Sequence, residues 1–291
     1  MNVQTTAARG ARASAVPTGL AAPANTPLLE IAGLRAGYGD VQVLWGIDLQ
    51  VPAGEITCIV GSNGAGKSTL LRTISGMVKP TGGRLTFAGK DMTGASPDAM
   101  LRAGVAHVPE GRRLFRGLSI RDNLLLGAYL RSDSRADIEA DLDFVFTMFP
   151  ILKTRQKQDA TTLSGGEQQM CAIGRGIMSR PQLLMIDELS LGLAPRAVEN
   201  LGEALLQINR AGLTILLVEQ DVLTAFELAR HANVVETGRV SLAGETRLLA
   251  DDPRVRHAYI WACERRRGRQ CKRSIRMKRP TGPPMPACWR G

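Results

Sequence analysis

The sequence predicts an α/β fold built around a mostly parallel sheet. Short apolar runs typical of buried strands alternate with longer segments of helical periodicity, and this alternation is typical of parallel strands joined by helices on both faces of a sheet. Hydrophobic residues make up 44% of the chain and aromatic residues only 4%, which suits a core of Val, Ile and Leu. The 291 residues are enough for one large domain or two small ones.

The pattern is ordered from residue 28 to about residue 261. The preceding residues, 1–27, are rich in Ala and Thr and predict a disordered extension, although an organelle transit peptide has a similar composition. Strand signals recur at Leu28–Ile31, Val43–Val51, Glu55–Val60, Arg84–Phe87, Gly104–Val108, Gln182–Ile186, Leu213–Val218 and Val234–Glu236. A mainly helical, polar stretch, roughly 91–162, predicts a subdomain inserted between core strands.

Most of the net charge of +10 lies at the end of the chain. Residues 262–291 hold ten basic residues and one acid, so the other 261 residues sum to +1. A nearly neutral body argues against nucleic acid as a partner. Four prolines in the tail predict that it is disordered; binding to anionic lipids or to nucleic acid is the competing interpretation.

No apolar run is long enough for a transmembrane helix, and the N-terminus lacks the apolar centre of a secretory signal. The five cysteines show no CxxC spacing, so neither zinc nor a disulfide is expected. Both observations favour a protein of the cytosol that reaches a membrane only through a partner. Trp45 is expected to pack in the core.

A glycine-rich loop with the spacing GxxxxGK[ST] lies between the apolar run Ile56–Val60 and the helical pattern Leu70–Ser75. Its nine residues are Gly61, Ser62, Asn63, Gly64, Ala65, Gly66, Lys67, Ser68 and Thr69. Glycines allow backbone amides and the helix N-terminus to face phosphates, the lysine adds a positive charge, and Ser68 offers a hydroxyl to Mg²⁺. The competing interpretation is a glycine-rich turn with an exposed lysine, which the flanking strand and helix disfavour.

Two acids end a later strand. Asp187 and Glu188 follow the apolar run Leu183–Ile186. Two acids at a strand end are often only solvated, but downstream of a phosphate loop they predict a catalytic pair. Asp187 is then expected to hold Mg²⁺ through its water shell, and Glu188 to orient and deprotonate the attacking water.

A second candidate anion cradle precedes that strand, in the run Leu163–Gln169, LSGGEQQ. Ser164 and the amides of Gly165 and Gly166 stand at a predicted helix start, with Glu167 next. An ordinary glycine-rich helix cap is the alternative. The run resembles the signature of ABC-type ATPases, a resemblance that covers Leu28 to about Trp261.

The resemblance implies a P-loop NTPase fold of the RecA-like type, with a mostly parallel sheet, a small antiparallel β region and an ABC helical subdomain inserted at roughly 91–162. Residues 28–261 would form the ABC ATPase domain. In this family the signature closes over ATP held by the opposite subunit, which implies a head-to-tail dimer with a second ABC ATPase subunit, either identical or related.

Four further motifs resemble those of the second ATP-binding subunit of branched-chain amino acid importers: Ala36–Gly39, Val108–Arg113, Ser190–Pro195 and Val218–Gln220. By this resemblance Tyr38 stacks on adenine, although an edge-strand surface ring is the alternative. Glu110 stands where a glutamine usually links Mg²⁺ and water to the helical subdomain. Gln220 stands where a histidine usually contacts the γ-phosphate. Leu189 replaces the proline that usually follows the catalytic glutamate, which predicts a looser turn.

The resemblance implies a Mg²⁺-dependent ATPase that energises an ABC importer, with ATP and Mg²⁺ as cofactors. Its partners would be transmembrane permease subunits, a second ATPase subunit and, indirectly, a periplasmic binding protein. It would lie on the cytoplasmic face of the inner membrane, with branched-chain amino acids as the expected cargo. The alternatives are urea or another solute as cargo, a soluble non-transport ABC ATPase, and a nucleotide-binding scaffold without hydrolysis.

Overall fold

Two β-sheets organise the chain in the computed structural model, which describes residues 27–257. The predicted N-terminal extension, apart from its last residue, and the predicted basic tail, 262–291, lie outside the described residues. Between residues 27 and 257 the strands are β1 (Leu29–Tyr38), β2 (Val41–Val51), β3 (Ile56–Val60), β4 (Pro80–Phe87), β5 (Lys90–Asp91), β6 (Val105–Val108), β7 (Leu183–Asp187), β8 (Thr214–Glu219), β9 (His231–Glu236) and β10 (Arg239–Glu245).

Helices connect these strands. They are α1 (Lys67–Ile74), α2 (Pro97–Ala103), α3 (Ile120–Leu125), α4 (Arg135–Met148), α5 (Pro150–Thr154), α6 (Gly165–Ile177), α7 (Pro195–Arg210), α8 (Val222–Leu228), α9 (Thr246–Leu249) and α10 (Pro253–Val255). Serine side chains accept a backbone amide at the start of α2, α3, α4 and α6, which satisfies one of the otherwise unpaired donors of each first turn.

The main sheet has six strands in the order β10-β9-β3-β8-β7-β6, and all its neighbours are parallel except β9 and β10. A smaller antiparallel sheet has the order β2-β1-β4-β5. The predicted α/β class with a mostly parallel sheet and a small antiparallel region is therefore confirmed. Strand β6 belongs to the main sheet although it lies within the predicted insertion at 91–162.

Alternating residues of the central strands pack on opposite faces of the main sheet. Cys58 and Leu217 face the cluster formed with α3, α4 and α6, whereas Ile59 and Leu216 face the cluster formed with α1 and the smaller sheet. Because both faces are covered, strands β3, β7 and β8 are buried throughout. This explains why they read as continuous apolar runs.

The parallel register brings three chain segments to one edge of the main sheet. Val60 of β3 pairs with Glu219 of β8, and Asp187 of β7 pairs with Val218. The segments that follow these strands therefore leave the sheet side by side. Ligands of open α/β sheets bind at this carboxyl edge.

A buried ion-pair network joins α4 to the segment after α6. Arg131 and Arg180 both contact the Asp141 carboxylate at 2.6 Å, and both also contact Asp133. Asp141 is fully buried, so removing one partner would leave a charge desolvated without full compensation. The network fixes α4 relative to the segment that follows α6.

Trp45 does not pack in the core as the sequence predicts. Its side chain is 44% exposed, and its backbone amide donates to the Gly238 carbonyl at 2.9 Å. A side chain at Gly238 would come within 2.9 Å of the indole. Trp45 therefore covers the turn between β9 and β10 instead. Within residues 27–257, none of the helices is both long and apolar enough to cross a bilayer.

His107 is a titratable group at a sheet edge with both ring nitrogens buried. Among the described residues neither nitrogen has a hydrogen-bond partner. Burial, with a smaller contribution from Arg72, lowers the pKa of His107 from 6.5 to about 4. The folded protein therefore holds this imidazole neutral at neutral pH.

Replacing His107 by phenylalanine is expected to remove part of the acid sensitivity of folding. Between pH 6.5 and pH 4 the unfolded state binds more protons at this residue, so the parent loses stability as the pH falls. The pKa values correspond to about 2 kcal/mol lost between pH 7.5 and pH 5. Urea unfolding of both proteins at these two pH values measures the difference. Equal losses in both would show that His107 is not the responsible group.

Candidate active site

The phosphate loop joins β3 to α1, and the buried side chain of its lysine donates hydrogen bonds to the loop backbone. Lys67 is 5% exposed, and its Nζ donates to the carbonyls of Gly61 and Ser62 at 2.8 and 3.1 Å. Burial lowers the pKa of Lys67, while the nearby Glu188, Asp187 and Glu219 act to raise it. The ammonium thus lies between the loop carbonyls and a group of acids. Phosphate oxygens of a bound nucleotide could accept the hydrogen bonds that Lys67 here donates to the carbonyls.

Two glycines of this loop are required by geometry. A Cβ at Gly61 would lie 2.2 Å from the Val235 carbonyl of β9. Gly66 begins α1 with a φ of 102°, a left-handed conformation that favours glycine. Ser62, Asn63 and Gly64 are exposed at the loop tip, whereas Ala65 and Thr69 are buried. The loop backbone is thereby kept close to the sheet edge, with its tip open to a ligand.

Ser68 and Asp187, which the sequence assigns to Mg²⁺, are in contact. The Ser68 hydroxyl donates to Asp187 Oδ1 at 3.3 Å. Asp187 is 2% exposed; burial raises its pKa, the Ser68 hydrogen bond opposes this, and Glu188 and Glu110 raise it further. A cation bound beside this carboxylate would relieve the repulsion among the acids.

The donor set fits Mg²⁺, which takes oxygen ligands and keeps several waters. Among the described residues, no group of three or more His, Cys, Asp or Glu side chains could hold a metal alone. A cation at Ser68 and Asp187 would therefore take its other ligands from water and phosphate, as in other P-loop sites. Glu110 is exposed on the loop after β6, and its role as a ligand stays a prediction.

Glu188 has a strained backbone and a specific side-chain partner. Its φ is +59°, a region that costs a residue other than glycine about 1–3 kcal/mol and is often found at functional sites. Its amide donates to the Val218 carbonyl at 3.0 Å, and its Oε1 accepts from Gln220 Nε2 at 2.7 Å. The structure thus brings together Glu188, which the sequence predicts as the catalytic base, and Gln220, which the resemblance places at the γ-phosphate.

Leu189 anchors the same turn. Its side chain is fully buried in the cluster beneath α6. Burial of this side chain opposes movement of the turn, and the looser turn predicted from the absence of proline stays a prediction.

Tyr38 lies at the end of β1, close to α1. Its ring is 45% exposed, and its hydroxyl accepts from Arg72 Nη1 at 3.2 Å. Burial acts to raise the pKa of Tyr38, but hydrogen bonds with Thr69 and Arg72 lower it on balance. The exposed ring is available for stacking beside the phosphate loop, and the adenine contact stays a prediction.

The signature segment forms the start of α6. Ser164 Oγ accepts the Glu167 amide at 3.4 Å, and Glu167 Oε2 accepts the Ser164 amide at 2.9 Å. This reciprocal arrangement is a capping box. Glu167 also pairs with Arg155 at 3.4 Å, so its carboxylate is engaged within the helix cap. The capping box uses the amides of Ser164 and Glu167. The amides of Gly165 and Gly166 lie at the same helix end, a position suited to an anion.

The two signature glycines sit against neighbouring segments. A Cβ at Gly165 would lie 3.2 Å from both Arg112 Nη2 and Leu193 Cδ2, and one at Gly166 would lie 2.9 Å from Ala197 Cβ. Between the described residues, no hydrogen bond joins this segment to the phosphate loop of the same chain.

The loop carrying Glu110 is tied to α6. Arg175 donates to the carbonyls of Arg113 and Arg112 at 2.8 and 3.0 Å. Arg112 Nη1 in turn donates to Gln168 Oε1 at 3.3 Å. Both arginines of the loop have positive φ values, 63° and 48°. These contacts couple the position of the Glu110 loop to the signature helix, a link that the sequence does not predict.

Glu219 is a site residue for which the sequence analysis predicts no role. It ends β8, is 1% exposed, and accepts both the amide and the hydroxyl of Ser190. Burial raises its pKa to about 7, the two Ser190 hydrogen bonds oppose this, and Glu188 and Asp221 raise it further. The available sequence signal is an acid that ends an otherwise apolar strand next to Gln220.

Comparison with known proteins gives concordant matches. A family described as ABC transporter matches residues 44–190. The chain is 42% identical to the high-affinity branched-chain amino acid transport ATP-binding protein BraG of Pseudomonas aeruginosa, over 77% of this chain and 95% of that protein. It is 33% identical to the probable branched-chain amino acid transport ATP-binding protein LivF of Archaeoglobus fulgidus, over 77% and 94%.

Solved structures match over similar lengths. The structure of an ATP-binding subunit of an ABC transporter shares 29% identity, with a TM-score of 0.70 over 82% of this chain and 98% of that chain. The ADP conformation of an ATP-binding cassette from an ABC transporter shares 25% identity, with a TM-score of 0.69 over 81% and 99%.

Proposed function

Because the chain belongs to the ABC transporter family, we propose that it is the ATP-hydrolysing subunit that energises an importer of branched-chain amino acids. The observation that carries the proposal is the grouping at one sheet edge of Lys67, Ser68 with Asp187, and Glu188 with Gln220. The cargo is supported by the names of two relatives, BraG and LivF, which the chain covers almost completely.

In this proposal each group has one task. The loop amides and Lys67 bind the β- and γ-phosphates. Ser68 and Asp187 would hold Mg²⁺, which would supply positive charge against the transferred phosphoryl group. Glu188 accepts a proton from the attacking water, and Gln220 keeps the Glu188 carboxylate oriented through their 2.7 Å hydrogen bond. Tyr38 stacks on adenine, and Glu110 links the cation site to the helices after β6.

A second ATPase subunit would complete the site. We assign Ser164, Gly165, Gly166 and Glu167 to the ATP of the opposite subunit. The proposal is supported by the position of this segment at the N-terminus of α6, where helix amides favour an anion. Two chains, identical or related, would then enclose two ATP molecules between them.

Membrane permease subunits are the partners that the family implies. The chain would lie against them on the cytoplasmic face of the inner membrane, and a periplasmic binding protein would deliver the cargo from the other side. Arg175 of α6 donates to carbonyls of the Glu110 loop, and Arg112 of that loop donates to Gln168 of α6. These hydrogen bonds support a movement in which the loop and α6 shift together when ATP is hydrolysed.

Transport by a reconstituted importer tests the proposal. Proteoliposomes would hold the permease subunits, both ATPase subunits and the binding protein, with radiolabelled leucine or urea as cargo. The expected result is ATP-dependent uptake of leucine, which is lost with Glu188→Gln and retained with Glu199→Gln, an exposed acid on α7. Uptake of urea without uptake of leucine would overturn the assignment of branched-chain amino acids as cargo. Hydrolysis unaffected by the permease would overturn the transport role.

A further inference from the structure

The end of β8 carries a buried carboxylate, Glu219, that accepts two hydrogen bonds from Ser190. Glu219 Oε1 accepts the Ser190 amide at 2.9 Å, and Oε2 accepts the Ser190 hydroxyl at 2.8 Å. The preceding residues of β8 are buried as well, so an apolar residue would continue the strand at less cost in desolvation. Burying a carboxylate is unfavourable unless it is hydrogen-bonded, and here both bonds go to one residue of the neighbouring turn.

That turn carries Glu188. Ser190 follows it by two residues, and Glu188 itself has the left-handed φ of +59°. The turn is fastened to the end of β8 at three consecutive positions: the Val218 carbonyl accepts the Glu188 amide, Glu219 accepts from Ser190, and the Gln220 side chain donates to the Glu188 carboxylate. Two of these contacts involve Glu188 directly, and the third fixes the chain just beyond it.

We propose that Glu219 is a positioning residue for ATP hydrolysis, which holds the turn 188–190 through Ser190 and so keeps the Glu188 carboxylate directed at the attacking water. The inference rests on the proposed function, since it assigns the role through Glu188. Strained turns persist only where their surroundings fix them, and a displacement of about 1 Å at a catalytic group can lower a rate by about 100-fold.

The same carboxylate could instead serve folding alone, and the two roles predict different kinetics. Loss of positioning lowers kcat and leaves ATP affinity in place, because the Lys67 ammonium donates to the carbonyls of Gly61 and Ser62 and not to Glu219 or Ser190. A role limited to folding would show as a lower melting temperature and a smaller active fraction. Removing a buried carboxylate together with its desolvation often leaves stability unchanged or higher.

The test is Glu219→Leu beside the conservative Glu219→Gln. Leucine removes both acceptors, whereas glutamine can still accept the Ser190 amide and donate to its hydroxyl. We expect Glu219→Leu to lower kcat about 10-fold to 100-fold with the Kd for ATP changed less than about twofold, and Glu219→Gln to retain most of the parent rate. The matched control is Glu203→Leu at an exposed position of α7, with the parent kcat expected.

The single variant Ser190→Ala keeps the test decisive if Glu219→Leu folds poorly, and a double-variant cycle applies where both fold. Ser190→Ala removes one of the two hydrogen bonds, so a decrease in kcat of a few-fold is expected. In the double variant the decreases should not multiply, because both changes remove the same contact. Parent kcat in both single variants, or loss of ATP binding in Glu219→Leu, would overturn the positioning role. Absence of hydrolysis in the parent would instead count against the proposed function.

Discussion

Replacing Glu188 by glutamine is expected to lower kcat by about 100-fold to 10,000-fold while ATP binding is retained. General-base catalysis contributes rate factors of this size, and an amide cannot accept the proton of the attacking water. The side chain keeps its length and can still accept from Gln220, so the turn and the hydrogen bonds from Lys67 to the phosphate loop are expected to be preserved. Steady-state hydrolysis and equilibrium ATP binding, measured on the same preparation, provide the two readouts.

Glu188→Gln has a matched control variant and is also expected to change the oligomeric state. Glu199→Gln alters an exposed acid on α7 and should hydrolyse ATP at the parent rate. If ATP closes two subunits over the signature segments, Glu188→Gln should accumulate as a dimer with ATP, which gel filtration or light scattering detects. Hydrolysis by Glu188→Gln at the parent rate would show that another group activates the water.

Replacing Lys67 by alanine is expected to weaken ATP binding by about 10-fold to 100-fold and to abolish measurable turnover. The ammonium supplies charge-assisted hydrogen bonds to phosphate, each worth about 1.5–3 kcal/mol. It also donates to the carbonyls of Gly61 and Ser62, so its loss removes two contacts that hold the loop. Isothermal titration with ATP measures the affinity.

Lys90→Ala is the control for this change, because Lys90 is exposed on β5. It should bind ATP as the parent does. Circular dichroism of Lys67→Ala would separate a loss of ligand contacts from a loss of fold. An unchanged Kd in a folded Lys67→Ala would mean that the glycine-rich loop is not the phosphate site.

The central sheet could be predicted because its strands are buried on both faces. Strands β3, β7 and β8 are continuous apolar runs, and each is present where the sequence places it. Strands β5 and β10 carry no such signal: β5 has two exposed residues, and β10 alternates exposed with half-buried residues. Strand β1 extends to Tyr38 although its apolar pattern ends near Ile31, because pairing with β2 continues through register shifts.

The candidate site also has parts that the sequence predicts and parts that it does not. Its phosphate loop, acid pair and signature are contiguous in sequence, so their residue types and spacing are readable without a structure. The links among them are not contiguous. Glu219 reaches Ser190 across 29 residues, and Arg175 reaches Arg112 across 63. Such pairings depend on how the sheet and α6 pack, which a single sequence does not specify.

The proposed ATPase activity can be measured on the purified full-length chain, with Mg²⁺ or with EDTA and over a range of protein concentrations. We expect turnover that requires Mg²⁺, because Ser68 and Asp187 alone cannot neutralise the phosphates. We also expect a rate per chain that rises with concentration, because the signature segment is proposed to act on the ATP of another subunit. ATP that binds but is not hydrolysed at any concentration would show that the chain is not an ATPase of this kind.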